Sequence, residues 1–231
     1  MGTLNVLMAA REQGVKRIVC TSTSEVYGTA QFVPITEDHP LVAQSPYAAT
    51  NIGADQLALS FFRSFDLPVA VARPFNTYDP RKSGRAVIPT IVSQIAAGRT
   101  RIELGSLHPT RDFTYVGDTV GGLLAIAEAA EAVGEVVNIG SSHEIGIGDL
   151  ATLTADVMGA TIEIAQDKAR IRPKGSEVDR LFASNEKAAQ LTGWAPEYAG
   201  REGLRRGPTE TATWFRDPTN LALYRPGDFA V

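Results

Sequence analysis

Two short stretches carry side chains able to move protons. In "TSTSEVYG" (21–28) a run of hydroxyls leads into a carboxylate, placing Thr23, Ser24 and Glu25 side by side. In "SPYAATNIGAD" (45–55) a phenol, Tyr47, stands at a helix start and Asn51 follows four residues later. Residues i and i+4 share one helix face, so Tyr47 and Asn51 point the same way. Each stretch also has a plain structural use. Hydroxyls ending a strand satisfy free backbone groups, and an aromatic at a helix start packs on its neighbours. His39, His108 and His143 share no metal-ligand spacing, there is no Cys/His cluster, and no metal site is expected.

The elements around these residues alternate between strand and helix. "GTLNVLMAAREQG" (2–14) has helical spacing at Leu4, Leu7 and Met8 and stops at Gly14. "VKRIVCTST" then gives a strand that delivers the hydroxyl run to its carboxyl end, where open α/β sheets place their chemistry. Ser45 suits a helix N-cap and Pro46 the first helical position, which predicts a helix from about Tyr47 to Phe65. "LPVAVARP" (67–74) reads as a buried parallel strand. Helix 86–98, strands 101–105 and 111–116, helix 118–131, strand 134–140 and a strand near 161–165 continue the pattern. An Arg-rich loop and "NEKAAQLTGW" lead into a tail expected to be mobile. Alternation of this kind predicts a parallel sheet with helices on both faces. No strand is expected to run into a G-x-G-x-x-G turn that could seat a dinucleotide pyrophosphate. The glycines at 117–122 and 140–148 are read as lying in the wrong context.

Composition narrows the function. With 231 residues, 44% of them hydrophobic, the chain can bury one sizeable core or two small ones. A formal net charge of -4 and a pI near 5.5 argue against nucleic acid or an anionic membrane surface as partner. Basic residues at Arg170, Arg172 and Lys174, and at Arg201, Arg205 and Arg206, read first as solvated surface. Cys20 is the single cysteine, so no intrachain disulfide can form and a reducing cytoplasm is the natural setting. No apolar run approaches the roughly 18 residues of a membrane span, and no signal pattern opens the chain.

Taken in order, "TSTSEVYG", "SPYAAT", "LPVAVARPFNTY", "VIP", "RDFTYV.D", "NIG", "RIRP...SEV" and "LTGW.P" resemble the extended short-chain dehydrogenase/reductase family of sugar-nucleotide enzymes, the NAD-dependent epimerases and dehydratases. The resemblance covers essentially the whole chain, and the likeness is greatest to enzymes of the UDP-N-acetylglucosamine 4,6-dehydratase type. It implies an α/β fold: the C-terminal part of a doubly wound parallel-sheet (Rossmann) domain, residues 1–78 and 107–145, with a small α/β substrate-binding domain, 79–106 and 146–215, and a tail, 216–231. "GTLNVLMAARE" resembles the helix just before the strand carrying the catalytic Thr. The first three or four strand–helix units, glycine-rich turn included, are therefore expected to lie outside these 231 residues.

The resemblance also assigns roles. Tyr47 would deprotonate the sugar C4 hydroxyl, Thr23 would hydrogen-bond the same oxygen, and Glu25 would take the C5 proton. Ser24 stands where dehydratases of dTDP-glucose carry an acid for the leaving hydroxyl. Because serine is a poor acid, 4-epimerisation and UDP-glucuronate decarboxylation stay open. Thr21, Tyr47, Asn51 and Pro74 would contact NAD. Asn76 and Arg111 would meet the substrate diphosphate together with Arg172, since guanidinium forks suit phosphate oxygens. Val87, Ile88, Glu103 and Leu104 would flank the nucleotide base, and Glu177 would accept a ribose hydroxyl. The implied partners are a nucleotide sugar, UDP-linked, and a second copy of the chain through helices 2–13 and 47–65.

Two departures bear on activity. The family has lysine where this chain has Asn51, which can hydrogen-bond a ribose but carries no charge. Its proton-transfer step is expected to slow by roughly 100- to 1,000-fold. The absent pyrophosphate cradle weighs more, because without a hydride acceptor the chain alone is expected to be inactive. The other alternative is a degenerate paralogue that dimerises or binds nucleotide sugar without turnover. Asp79, where the family has glycine, would be strained if its backbone required positive φ.

Overall fold

The computed structural model describes residues 1–171 and 173–224. Its main sheet joins β1 (Ile18–Thr21), β2 (Val69–Pro74) and β6 (Val136–Ile139) in the order β1-β2-β6, all parallel. Strand β2 is central, and Val69, Ala70, Val71 and Ala72 are completely buried. Side chains alternate across a strand. Val69 and Val71 therefore pack with Leu7, Ala58, Leu59 and Phe61 of α1 (Gly2–Glu12) and α2 (Pro46–Phe65) on one face. Ala70 and Ala72 pack on the other face with Ile126 of α4 (Val116–Glu128), Ala188 of α6 (Glu186–Thr192), Val137 and Ile139. The parallel sheet with helices on both faces is as expected. Its edge strand β1 is four residues long, with the first three half-buried.

Two smaller sheets flank it. In one, β3 (Asn76–Tyr78) pairs in parallel with β5 (Thr110–Tyr115), and β5 pairs antiparallel with β7 (Glu144–Gly146), a pairing the alternation did not announce. In the other, β4 (Arg101–Leu104) runs parallel to β8 (Glu163–Gln166). Ile88 and Ile91 of α3 (Val87–Ala96), Ile102, Leu150 of α5 (Ile147–Met158), and Leu204 and Phe215 of α7 (Gly200–Phe215) form one core with these strands.

The chain after residue 193 corrects the sequence reading. Residues 200–215, assigned to the substrate-binding domain but to no element, form α7, a 16-residue helix with Pro208 inside it, and α8 (Pro218–Leu221) stands in the stretch expected to be tail. Pro208 and three glycines hide the pattern, yet Leu204, Thr211, Ala212 and Phe215 recur on one buried face. Residues 225–231 of the expected tail lie outside the described residues.

Candidate active site

Strand β1 hands the hydroxyl run to a one-turn 3-10 helix, Ser24–Tyr27, at the carboxyl end of the sheet. Ser22 N–H donates to the Ala72 carbonyl at 2.7 Å, so the exit from β1 is still held by β2. Thr23 caps the turn, its Oγ1 accepting from Glu25 N–H at 3.2 Å. The capping use and a chemical use are compatible, because a hydroxyl that accepts still has a proton to donate. Gly28 closes the turn at φ 65°, where an added Cβ would press on the Val42 carbonyl.

Beneath the turn lies a buried polar network that the sequence reading missed. Tyr27 Oη donates to Asn138 Oδ1 at 2.7 Å and accepts from Arg73 Nη1 at 2.9 Å. Arg73 in turn binds Asp55 Oδ2 through Nε at 3.0 Å and Nη2 at 2.9 Å. Asn138 completes it, its N–H donating to Glu37 Oε1 and its Nδ2 to the Ile35 carbonyl. Burial pushes the Tyr27 phenol up to about 12 against the pull of Arg73. The network ties β2, β6 and α2 to the turn that carries Thr23, Ser24 and Glu25.

Helix α2 begins as expected. Ser45 Oγ accepts from Ala48 N–H at 3.1 Å, and Pro46 occupies the first turn. Tyr47 is 57% exposed and faces the cleft that also contains Thr23, Ser24 and Glu25. Asn51 does not reach that cleft; its Nδ2 donates to the Tyr47 carbonyl at 2.9 Å on its own helix. Pro74 lies on the cleft wall, whereas Thr21 is exposed at the end of β1 and is not part of the lining.

The cleft measures about 810 Å³. Its far wall brings together Asn76, Val87, Ile88, Leu104, Arg111 and Glu177, six of the eight residues expected to meet substrate. Asn76 Oδ1 is buried with no hydrogen-bond partner, an acceptor left for a ligand that donates to it, or for the amide's donor end after a flip. Arg111 is not a surface ion pair: nearly buried, it meets Glu177 Oε1 through Nη2 at 3.4 Å. Glu103 is not in the lining; its N–H and carbonyl are both bound by the Gln94 side chain, which clamps β4 to α3. Arg172 lies outside the described residues.

Three cations on the lining were not foreseen as site residues, namely Lys82, Arg85 and Arg170. Arg170 belongs to the cluster read as solvated surface, yet its Nε binds Asp167 Oδ2 at 3.0 Å and it turns into the cleft. With Arg111, the cleft carries four cationic side chains against the carboxylates Glu25 and Glu177, an environment suited to an anion. Asp112, beside Arg111, is a structural tie. Burial pushes it up to about 6 although Ser141 N–H, Ser141 Oγ–H and Ala183 N–H all donate to it.

The glycines at 140–148 lie partly in a strand-to-helix turn. G-I-G-D-L-A at 146–151 does follow a strand and open a helix, α5. Its amides are already used: Ile147 N–H donates to the Pro109 carbonyl and Gly148 N–H to that of Leu107. They cannot also cradle a pyrophosphate. Among the described residues no group of three His, Cys, Asp or Glu side chains is placed to hold a metal ion. His39 is buried, its Nε2 accepting from Gln31 N–H and its ring edge-on to Tyr27. Asp79 shows no positive φ, and its Oδ1 accepts from Arg81 N–H, so the feared strain does not arise. No helix among the described residues is long and apolar enough to cross a membrane.

A family model described as GDP-mannose 4,6 dehydratase matches residues 1–207. The low-salt glycan biosynthesis protein Agl12 of Haloferax volcanii is 32% identical over 206 residues, covering 88% of this chain and 64% of that protein. A UDP-glucose 4-epimerase of Mycolicibacterium smegmatis is 32% identical over 222 residues, covering 94% of this chain and 68% of its own length. The crystal structure of dTDP-glucose 4,6-dehydratase from Bacillus anthracis in complex with NAD aligns with a TM-score of 0.82 at 28% identity, over 94% of this chain and 67% of that one. The chain thus spans about two thirds of the length of the curated relatives it matches.

Proposed function

The chain belongs to the GDP-mannose 4,6 dehydratase family, among the NAD-dependent epimerases and dehydratases, and from that premise we propose that it forms the substrate-binding and proton-transfer wall of a nucleotide-sugar enzyme. The reaction proposed is 4,6-dehydration of a UDP-linked hexose or N-acetylhexosamine. The observation that supports it is the meeting of Thr23, Ser24 and Glu25 with Tyr47 on one wall of a cation-rich cleft.

In this reading Tyr47 accepts the proton of the sugar C4 hydroxyl while Thr23 donates a hydrogen bond to the same oxygen. The resulting 4-keto group acidifies C5, Glu25 takes the C5 proton, and that proton passes to the C6 hydroxyl, which leaves as water beside Ser24. NAD, when bound, supplies the hydride acceptor and donor at the sugar. Pro74 and Tyr47 on the cleft wall would hold its nicotinamide end, with Thr21 off the lining, and Asn51 would reach its ribose after releasing the Tyr47 carbonyl. The fit is limited to that end, because the strand-to-helix glycine pair at 146–148 has its amides occupied. Turnover by these 231 residues alone is accordingly absent or slow, and the uncharged Asn51 slows it further.

Ser24 in place of a carboxylic acid favours a second reading. A 4-epimerase or a UDP-glucuronate decarboxylase shares the first proton transfer and needs no acid for a leaving hydroxyl. A relative that binds nucleotide sugar without turnover remains the non-catalytic alternative. The proposed division keeps 1–78 with 107–145 on the cofactor side and 79–106 with 146–215 on the substrate side. The proposed partner is a second copy through α1 and α2.

The test isolates Glu25 from the cofactor. A nucleotide-linked 4-keto-6-deoxyhexose in heavy water should exchange its C5 proton on the protein, and Glu25→Gln should slow that exchange about 100-fold. Binding of the nucleotide sugar, followed by calorimetry, should survive the substitution. Binding without exchange favours the epimerase or non-catalytic readings. No heat with UDP-, dTDP- or GDP-sugars removes the nucleotide-sugar proposal altogether.

A further inference from the structure

The segment Asp79–Ala86 carries two of the four cleft cations, Lys82 and Arg85, and it is built to be held rather than to wander. Within it, Asp79 Oδ1 accepts from Arg81 N–H, Ser83 Oγ accepts from Arg85 N–H at 3.3 Å, and Ala86 N–H donates to the Ser83 carbonyl at 2.9 Å. From below, Thr90 Oγ1 of α3 donates to the Gly84 carbonyl at 2.8 Å. From above comes a contact across 142 residues: Tyr224 Oη donates to the Lys82 carbonyl at 2.8 Å.

That phenol is itself anchored. Its ring lies 4.6 Å from Phe215 and 5.9 Å from Trp214, both edge-on, at the end of α7. Gly84 sits against the same ring, so that an added Cβ would come 3.3 Å from its Cδ1. Helix α8 sets the approach, with Asp217 Oδ1 capping at Thr219 N–H and Asn220 Nδ2 donating to the Trp214 carbonyl. Among the described residues no carboxylate forms an ion pair with Lys82.

We propose that Lys82 and Arg85 form an anion-binding arm of the cleft for the phosphate oxygens of the nucleotide sugar, and that Tyr224 is the positioning residue that latches this arm in place. The arm rests on the nucleotide-sugar reading above; the latch does not. An ammonium and a guanidinium on one short segment suit phosphate oxygens. A loop that must meet an anion gains affinity when it is ordered beforehand, because less conformational freedom is lost on binding.

The arm contains three trypsin sites, Arg81, Lys82 and Arg85, which makes the latch directly readable in the 231-residue chain. Tyr224→Phe keeps the ring packing and removes only the hydroxyl. Limited digestion with mapping by mass spectrometry should show cutting at these three sites about 2- to 10-fold faster in that variant, the range one neutral hydrogen bond supports, with other sites unchanged. Tyr224→Ala should increase it further. Calorimetry with UDP, dTDP and GDP should show Lys82→Ala, Arg85→Ala and Tyr224→Phe each weakening the nucleoside diphosphate severalfold while leaving binding of the bare nucleoside unchanged. Comparing UDP-glucose with UDP-glucuronate separates phosphate oxygens from a sugar carboxylate. An effect confined to the glucuronate moves the arm to the sugar and overturns the phosphate assignment. Equal digestion of both Tyr224 variants and the parent removes the latch. Faster digestion with unaltered diphosphate affinity removes the arm. If the parent chain binds no nucleoside diphosphate, the arm fails along with the proposed function, and the digestion still decides the latch.

Discussion

Tyr27 shows how much of the site depends on a side chain buried outside the cleft lining. Its hydroxyl is both donor to Asn138 and acceptor from Arg73, and it has no exposure to solvent. Tyr27→Phe would leave a buried carboxamide oxygen and a buried guanidinium N–H each short of a partner. The expected loss is roughly 1–3 kcal/mol, measurable by urea unfolding with unchanged slope. The same residue predicts an alkaline limit. A phenol in the unfolded chain ionises near pH 10, whereas the native one holds its proton to about 12. Between those values the native state binds the extra proton. The contribution is therefore full below pH 10 and is lost as pH rises through 12. Stability of the parent should fall more steeply across that window than stability of Tyr27→Phe. Parallel curves would mean that the buried phenol is not the group responsible.

At the level of elements, α7 is held where it is by glycine as much as by its apolar face. An added Cβ on Gly207 would overlap the Tyr78 hydroxyl, and Tyr78 is itself buried in the core of β3. Gly207→Ala should cost about 1–3 kcal/mol of stability, as overpacking does, seen as a lower Tm. Combining it with Tyr78→Phe should recover part of that loss. Recovery should be incomplete, because the ring carbon bearing the hydroxyl would still lie 2.7 Å from the new methyl. Simple additivity of the two substitutions would show that the helix relaxes away from the ring. This helix also marks the limit of reading from sequence. Local signals sufficed for α2, where Ser45 and Pro46 announce the start, and for the valine-rich β2. They also singled out Thr23, Glu25, Tyr47 and Arg111, which sit in motifs next to those elements and which the fold brings to one cleft. They failed for α7, where Pro208 and the glycines mask a buried face visible only once Tyr78 is opposite. They failed equally for Arg73–Asp55 and Tyr27–Asn138, whose partners are 18 and 111 residues apart. Lys82 and Arg85 drew no notice because a charge pair on a polar loop looks like solvated surface until the fold turns it over a cleft.

For the molecule as a whole, the proposed pairing with a second copy turns on which outer face could carry it. Among the exposed apolar side chains, two pairs lie on helices packed against the main sheet, Val6 and Phe65 on α1 and α2, and Val120 and Leu124 on α4. The first pair lies on helices already fastened together: Leu7 is buried with Ala58 and Leu59, and the Arg11 guanidinium sits 3.9 Å over the Phe65 ring. Such a pre-assembled surface loses little freedom on association, which is what a specific interface requires. The proposed dimer through α1 and α2 therefore predicts that Val6→Glu, at a position 63% exposed, shifts sedimentation from dimer to monomer. Tm measured at low protein concentration should barely move, because a charge at an exposed site has little effect on the fold itself. Val120→Glu with Leu124→Glu on α4 serves as the control and should leave the dimer intact. If the control dissociates the copies and Val6→Glu does not, the interface lies on α4. A parent chain that sediments as a monomer at micromolar concentration would remove the dimer itself.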